Sequence, residues 1–99
     1  MIVKNFTAAR TEVENGDAVY ISNLAMNGEA MHYGIVQAKI TGAITVKLQG
    51  RLSASFDWTD LATFTASGMQ EAMLLPEMRY SITANGGTLN ALSVGFVKG

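Results

Sequence analysis

From Ile44 to Leu52, apolar and polar residues alternate without losing phase. Ile44, Val46, Leu48 and Leu52 fall on one side, and Thr45, Lys47, Gln49 and Arg51 on the other. Side chains of a β-strand point to opposite faces in turn, so this pattern predicts a strand with one face in a core and one in water. Gly50 falls on the apolar side, where a missing side chain marks a bulge or the close approach of another backbone. The pattern sits inside a longer stretch, IVQAKITGAITVKLQGRLSASFDWTDLATF, running from Ile35 to Phe64. There Ile35 to Ile40 reads as a strand and Thr41-Gly42 as a turn or bulge. Ser53 to Asp60 reads as turn chemistry, and Leu61 to Ala66 as the next strand. The whole stretch is expected to form the central meander of an antiparallel domain.

The flanks carry the same signals more weakly. Ile2 to Thr7 has β-type residues and is expected to be an edge strand or an arm over residues 1–7. Asn15-Gly16-Asp17 is expected to turn, because Asn and Gly tolerate positive φ, and Ala18 to Ser22 then reads as a strand. Asn23 to Gly34 (NLAMNGEAMHYG) has no period and reads as a loop or a broken strand. Loops of this length in a compact domain are often functional. Met69 to Leu75 holds good helix formers, but it is short and Pro76 stops it. With strands around it, it is assigned as a strand. Met78, Tyr80, Ile82 and Ala84 alternate with Arg79, Ser81, Thr83 and Asn85, Asn85-Gly86-Gly87 turns, and Thr88 to Val97 closes the chain with Leu92, Val94 and Phe96 on one face. About seven or eight short strands with Gly-containing turns predict an all-β fold: a single antiparallel β-sandwich or a small barrel. The 99 residues suffice for one domain, 1–99, and not for two.

Composition narrows the function classes. Only 15% of residues are charged against 48% hydrophobic. A free monomer usually carries more surface charge, so either a partner covers part of the surface or Thr, Ser, Asn and Gln supply the solubility. Seven basic residues, scattered along a chain of net charge −1, give no electrostatic footprint for nucleic acid. There is no cysteine, hence no disulfide and no thiolate metal site. No segment has the run of about 18 apolar residues that a membrane span needs. The N-terminal MIVKNFTAAR lacks a signal-peptide pattern, so a non-membrane protein made in the cytoplasm is expected.

Reaction chemistry is sparse. A Ser/His/Asp site needs a base, and the single histidine, His32, lies in the irregular segment. Ser53 and Ser55 have no nucleophile-elbow motif around them. A zinc site lacks His and Cys partners for His32. Asp57 and Asp60 flank Trp58, but Asp in a turn more often bonds the local backbone than a metal or a substrate. The lone Trp58 is expected to be buried, plugging one end of the sandwich. Of the six methionines, Met69, Met73 and Met78 are expected in the core, whereas Met26 and Met31, near Tyr33, suit an adaptable contact surface. No catalytic, cofactor or metal residue is assigned, and an enzyme is not expected.

Four motifs carry a resemblance. Val46-Lys47-Leu48-Gln49-Gly50, Trp58-Thr59-Asp60-Leu61, Thr65-Ala66-Ser67-Gly68 and Arg79-Tyr80-Ser81-Ile82-Thr83 follow one another with strand and turn spacing. The stretch resembles a pattern in small tailed-bacteriophage virion proteins, over roughly Ile40 to Val97. It departs from that pattern at Ala54, Ser55 and Phe56, which stand where an Asp-Gly turn is usual. The resemblance implies a β-sandwich or jelly-roll-like domain without catalysis. It would be a capsid decoration (cement) or minor head protein, made in the host cytoplasm and ending in the virion. Its partner would be the major capsid protein or another virion protein. A homo-oligomer is expected, a trimer by the way such proteins usually close. Candidate interface residues are Ile2, Val3 and Phe6 in the arm and Met26, Met31 and Tyr33 in or beside the loop. The alternative is a carbohydrate-binding β-sandwich of a tail fibre or adhesin, with Trp58, Asp57 and Asp60 as ligand contacts.

Overall fold

Val46, Leu48 and Gly50 are buried, and Thr45, Lys47, Gln49 and Arg51 line the opposite face, so the alternation in the sequence becomes strand β5 (Thr45–Arg51). The computed structural model describes residues 2–20, 33–84 and 86–97. Within them the other strands are β1 (Ile2–Arg10), β2 (Glu14–Asn15), β3 (Val19–Tyr20), β4 (Tyr33–Gly42), β6 (Thr59–Phe64), β7 (Gly68–Met73), β8 (Glu77–Ala84) and β9 (Gly87–Val97). Every pairing is antiparallel.

The pairings nest. β5 pairs β6, β4 pairs β7, β2 and β3 pair β8, and β1 pairs β9. The chain is thus one long hairpin with its tip at residues 52–58. Two further ladders, β4–β9 and β5–β8, roll this hairpin up. Two sheets result, ordered β1-β9-β4-β7 and β2/β3-β8-β5-β6. β2 and β3 lie end to end along one side of β8. Glu14 faces Ile82, the Gly16 N–H donates to the Tyr80 carbonyl at 2.9 Å, and Val19 faces Met78. Asp17 and Ala18 therefore share the place opposite Arg79. This is a bulge within one strand position. Counted so, eight strands in two sheets with nested pairing make a jelly roll, one of the double-sheet β architectures.

Three expectations change here. Ile35–Phe64 is not a meander, because β4 and β5 belong to different sheets. The chain crosses between them at Gly42-Ala43, where Gly42 has φ +83°, a conformation that costs a side-chain-bearing residue. Asn15-Gly16-Asp17 is not a hairpin turn but part of the bulged edge. Gly16 is needed there because the Tyr80 ring lies across it, in the place a Cβ would take. Leu52 is 61% exposed, since β5 ends at Arg51 and the alternation does not continue into the turn. Ile2–Thr7 is an edge strand, extended to Arg10. The segment assigned as a strand before Pro76 is β7. Of the Asn23–Gly34 segment, only Tyr33 and Gly34 fall among the described residues, as the start of β4.

The core lies between the sheets. Val36, Ala38, Leu89, Leu92 and Val94 face Val46, Leu48, Phe64, Met78 and Ile82, all nearly or fully buried. Leu89 and Leu92 are three apart, an odd spacing for a strand, yet both are fully buried. The register explains this. Lys39 faces Ala91 but Ile40 faces Leu89, so Asn90 is an extra residue that resets the phase. Asn90 donates to the Thr41 hydroxyl at 2.8 Å. At the same end, Ser67 continues the ladder where β7 stops: its hydroxyl accepts from the Ile40 N–H at 2.8 Å and donates to the Ile40 carbonyl at 3.1 Å.

Burial assigns the cost of truncation. Leu48→Ala leaves a cavity between the sheets and is expected to lose about 2–5 kcal/mol, whereas Leu52→Ala should change stability by less than about 0.5 kcal/mol. Urea unfolding of the two variants checks the pair, and equal losses would contradict the end of β5 at Arg51.

Candidate contact surface

Each sheet has an outer face, and the two faces differ. On the β8-β5-β6 side, alternation sends Lys47, Gln49, Arg51, Glu77 and Arg79 outward. Asp60 joins them because of a bulge. Leu48 faces Ala62 but Gln49 faces Asp60, so Leu61 is the extra residue and Asp60 is turned out of the core phase. The Leu61 side chain fills the space above Gly50, 2.7 Å from where a Cβ there would stand.

These groups satisfy one another. Arg51 donates to Glu77 Oε1 from Nε at 3.2 Å and from Nη2 at 3.1 Å. Arg79 Nε donates to Gln49 Oε1 at 2.9 Å, Gln49 Nε2 donates to Asp60 Oδ1 at 2.9 Å, and Lys47 Nζ reaches Asp60 Oδ2 at 2.9 Å. The Trp58 ring lies against both guanidiniums, with Arg51 Cζ 4.1 Å and Arg79 Cζ 4.5 Å from the ring centroid. Cation–π contacts of this kind hold a half-buried indole in place. Desolvation, with Arg51 close by, lowers the Arg79 pKa from its ordinary value. The bonds from Gln49 and from Lys47 lower that of Asp60.

Trp58 therefore does not plug the end of the sandwich, as expected from the sequence. It is half-buried on the outside of a sheet, with its ring against two arginines. Asp60 is not a turn cap either, since it lies in β6 and binds across to β5. Asp57 is exposed in the turn before β6. Phe56 and Ser55 N–H groups in that turn donate to the Ser53 carbonyl (3.1 Å) and hydroxyl (3.3 Å).

The outer face of β1-β9-β4-β7 is different. Register places Val3, Gly95, Ile35 and Glu71 in one row across the four strands, and Asn5, Ser93, Gln37 and Met69 in the next. Tyr33 faces Met73 at the end of β4. Val3 is 60% exposed, Met69 59% and Met73 69%. Gly95 has no side chain, and a shallow depression of about 220 Å³ opens above it, lined by Val3, Ile35, Gln37, Met69, Ser93 and Gly95. Polar groups are interleaved with these apolar ones: Asn5, Ser93, Gln37, Lys39 and Glu71 share the face. Ser93 Oγ donates to Asn5 Oδ1 at 2.6 Å, and a hydrogen bond between Tyr33 and Glu71 raises the Tyr33 pKa.

The candidate interface residues divide accordingly. Val3 and Tyr33 lie on this face. Phe6 is the extra residue of a bulge in β1, between Asn5 facing Ser93 and Thr7 facing Leu92, and it packs against the core. Ile2 pairs with Phe96 through the backbone, and its side chain lies outside the described residues. Met26, Met31 and His32 lie outside the described residues too. Sequence reasoning missed Ile35, Met69, Met73 and Gly95. Parity was the available signal for two of them: Met69 and Met73 alternate with Glu71, and the other phase holds Gln70 and the buried Ala72. The core expectation fails for Met69 and Met73 and holds for Met78.

Among the described residues no group of three or more His, Cys, Asp or Glu side chains is arranged to hold a metal ion. Among them, too, no helix is long and apolar enough to cross a membrane. Comparison with protein-family models, curated proteins and solved structures gave no match.

The Asp60 clamp has a pH signature. Its folded pKa lies below the unfolded one, so the stabilisation is complete above the ordinary carboxylate range and is lost as pH falls through the folded value. The stability gap between the wild type and Asp60→Asn is expected to be widest near neutral pH and to close in acid below about pH 3.9. Urea midpoints at several pH values check this, and a gap independent of pH would contradict the clamp.

Proposed function

We propose that this chain is a non-catalytic structural protein of a tailed-phage virion, a capsid decoration or minor head protein. It docks on a larger shell through the outer face of β1-β9-β4-β7. The observation that carries this reading is the contrast between the two outer faces. One is mostly occupied by its own ion pairs and stacked arginines, with Tyr20 exposed at its edge, and the other leaves Val3, Tyr33, Met69 and Met73 exposed. Val3, Ile35 and Met69 line one depression, exposed apolar surface of this kind suits a contact site, and methionine suits surfaces that adapt to a partner. The jelly roll is an architecture that capsid domains use, and the motif resemblance points the same way. The major capsid protein or another virion protein is the partner in this reading, with self-association as a second contact. The carbohydrate-binding alternative draws no support from Trp58 and Asp60, which are engaged by Arg51, Arg79, Gln49 and Lys47.

The test is the protein's place in gradient-purified particles. The chain is expected to co-purify with the particles, at a copy number comparable to the shell subunit for a decoration protein and lower for a minor head protein. Val3→Glu should cut its incorporation about tenfold or more, since a buried unpaired charge costs several kcal/mol. Recovery only in the soluble fraction would contradict the proposal.

A further inference from the structure

Among the described residues the two sheets have four edges, and they are not alike. β1 is bulged at Phe6, the β2/β3 edge at Asp17-Ala18 and β6 at Leu61. A bulge twists an edge away from further pairing, which is how β proteins keep their edges from joining. These edges also carry Lys4 on β1, Asp17 on the β2/β3 edge and Asp60 on β6. A side-chain bond links β6 to β7: Gln70 Nε2 of β7 donates to the Thr63 carbonyl at 2.6 Å, which occupies a backbone group of β6 and none of β7.

β7 is the exception. Its pairing with β4 runs from Gly68 to Met73 with no shift in register, and among the described residues it is paired on that side alone. It holds no bulge, lysine or proline, and its one charged residue is Glu71. Met69 and Met73 stand exposed along it.

We propose that β7 is a self-association edge, and that its occupant is β7 of a second copy of this chain. The argument for that occupant is elimination with self-complementarity. An antiparallel strand pair related by a two-fold axis needs no second kind of strand, since each residue's donors and acceptors meet their own copies. The other three edges of the second copy are bulged, so its β7 is the regular strand available. Pairing joins two β1-β9-β4-β7 sheets into one continuous sheet and makes their two apolar outer faces a single surface.

Charge restricts the register. Opposed residues in an antiparallel pair share a face, so the pairing is centred on a residue. Centring on Glu71 sets two carboxylates against each other, which is unfavourable. Centring on Gln70 or Ala72 sets Glu71 against the partner's Met69 or the partner's Met73. The assembly is a dimer closed by a two-fold axis, in place of the three-fold closure expected from the sequence. It deepens the assembly reading above but needs no virion. A chain that dimerises through β7 and never enters particles would end the virion reading and leave this one standing.

The experiment is sedimentation velocity of the whole chain over a dilution series, with the double variant Met69→Glu/Met73→Glu beside it. In each register named above, at least one added carboxylate opposes a carboxylate on the second copy: position 69 against Glu71 when centred on Gln70, position 73 against Glu71 when centred on Ala72, and position 69 against position 73 when centred on Glu71. The wild type is expected to shift from monomer to dimer mass with concentration, and the variant to need at least about tenfold more protein for the same shift. Amide hydrogen exchange of the wild type keeps the test independent of variant folding: β7 amides should gain protection as the dimer forms, and β1 and β6 amides should not. A wild type that stays monomeric at every concentration would overturn the proposal. So would a dimer that the substitutions leave intact, or one that protects β1 or β6 instead of β7.

Discussion

The ladder between β4 and β9 runs from Tyr33 opposite Val97 to Gly42 opposite Gly87 and joins the two halves of the chain. Without it, β1–β9 and β4–β7 would be separate two-stranded ribbons, each unable to bury a face. With it, Val36 and Ala38 come beside Leu92 and Val94, and one inner wall of the core is complete. The β5–β8 ladder builds the facing wall in the same way, setting Val46 and Leu48 beside Ile82 and Tyr80. Both ladders pair residues far apart in sequence, so closure of long loops has to precede most of the burial. Slow folding for a chain of this size follows from that topology.

How much of this was legible in the sequence depends on phase. Where alternation is unbroken, as from Ile44 to Arg51, the sequence showed both the strand and its inner face. Where a bulge resets the phase, it misled or fell silent. Leu89 is fully buried, yet counting back by twos from Leu92 misses it, because Asn90 is extra. Phe6 and Leu61 are extra residues of the same kind. Topology was not legible either. Gly42 looks the same in a sequence whether the next strand pairs with the last or crosses to the other sheet. Partner choice is set by the nested pairing, which no local signal carries.

The motif residues gain a physical meaning from the β8-β5-β6 face. Lys47, Gln49, Trp58, Asp60 and Arg79 were read separately, and they form one chain of contacts across three strands. Gly50 makes room for Leu61, and Ser67 caps β4. The motifs are thus devices that lock one sheet and its corners. Exposed polar pairs contribute little singly, but Glu77 and Arg51 are largely shielded from solvent, and a network holds its members in place better than isolated pairs do. A face so occupied has few groups left for a ligand. The proposed contact uses the opposite face, where Met69 and Met73 are exposed and a depression opens over Gly95.

The most direct test of that account is methionine oxidation by dilute peroxide, followed residue by residue by mass spectrometry. In the dilute free protein, exposed Met69 and Met73 should oxidise readily and buried Met78 slowly. In the assembled protein, at high concentration or on its shell, the account expects Met69 and Met73 to be protected while the slow oxidation of Met78 stays as it was. Oxidation of Met69 and Met73 at the same rate in the free and assembled protein would contradict the claim that this face is where the protein makes its contacts.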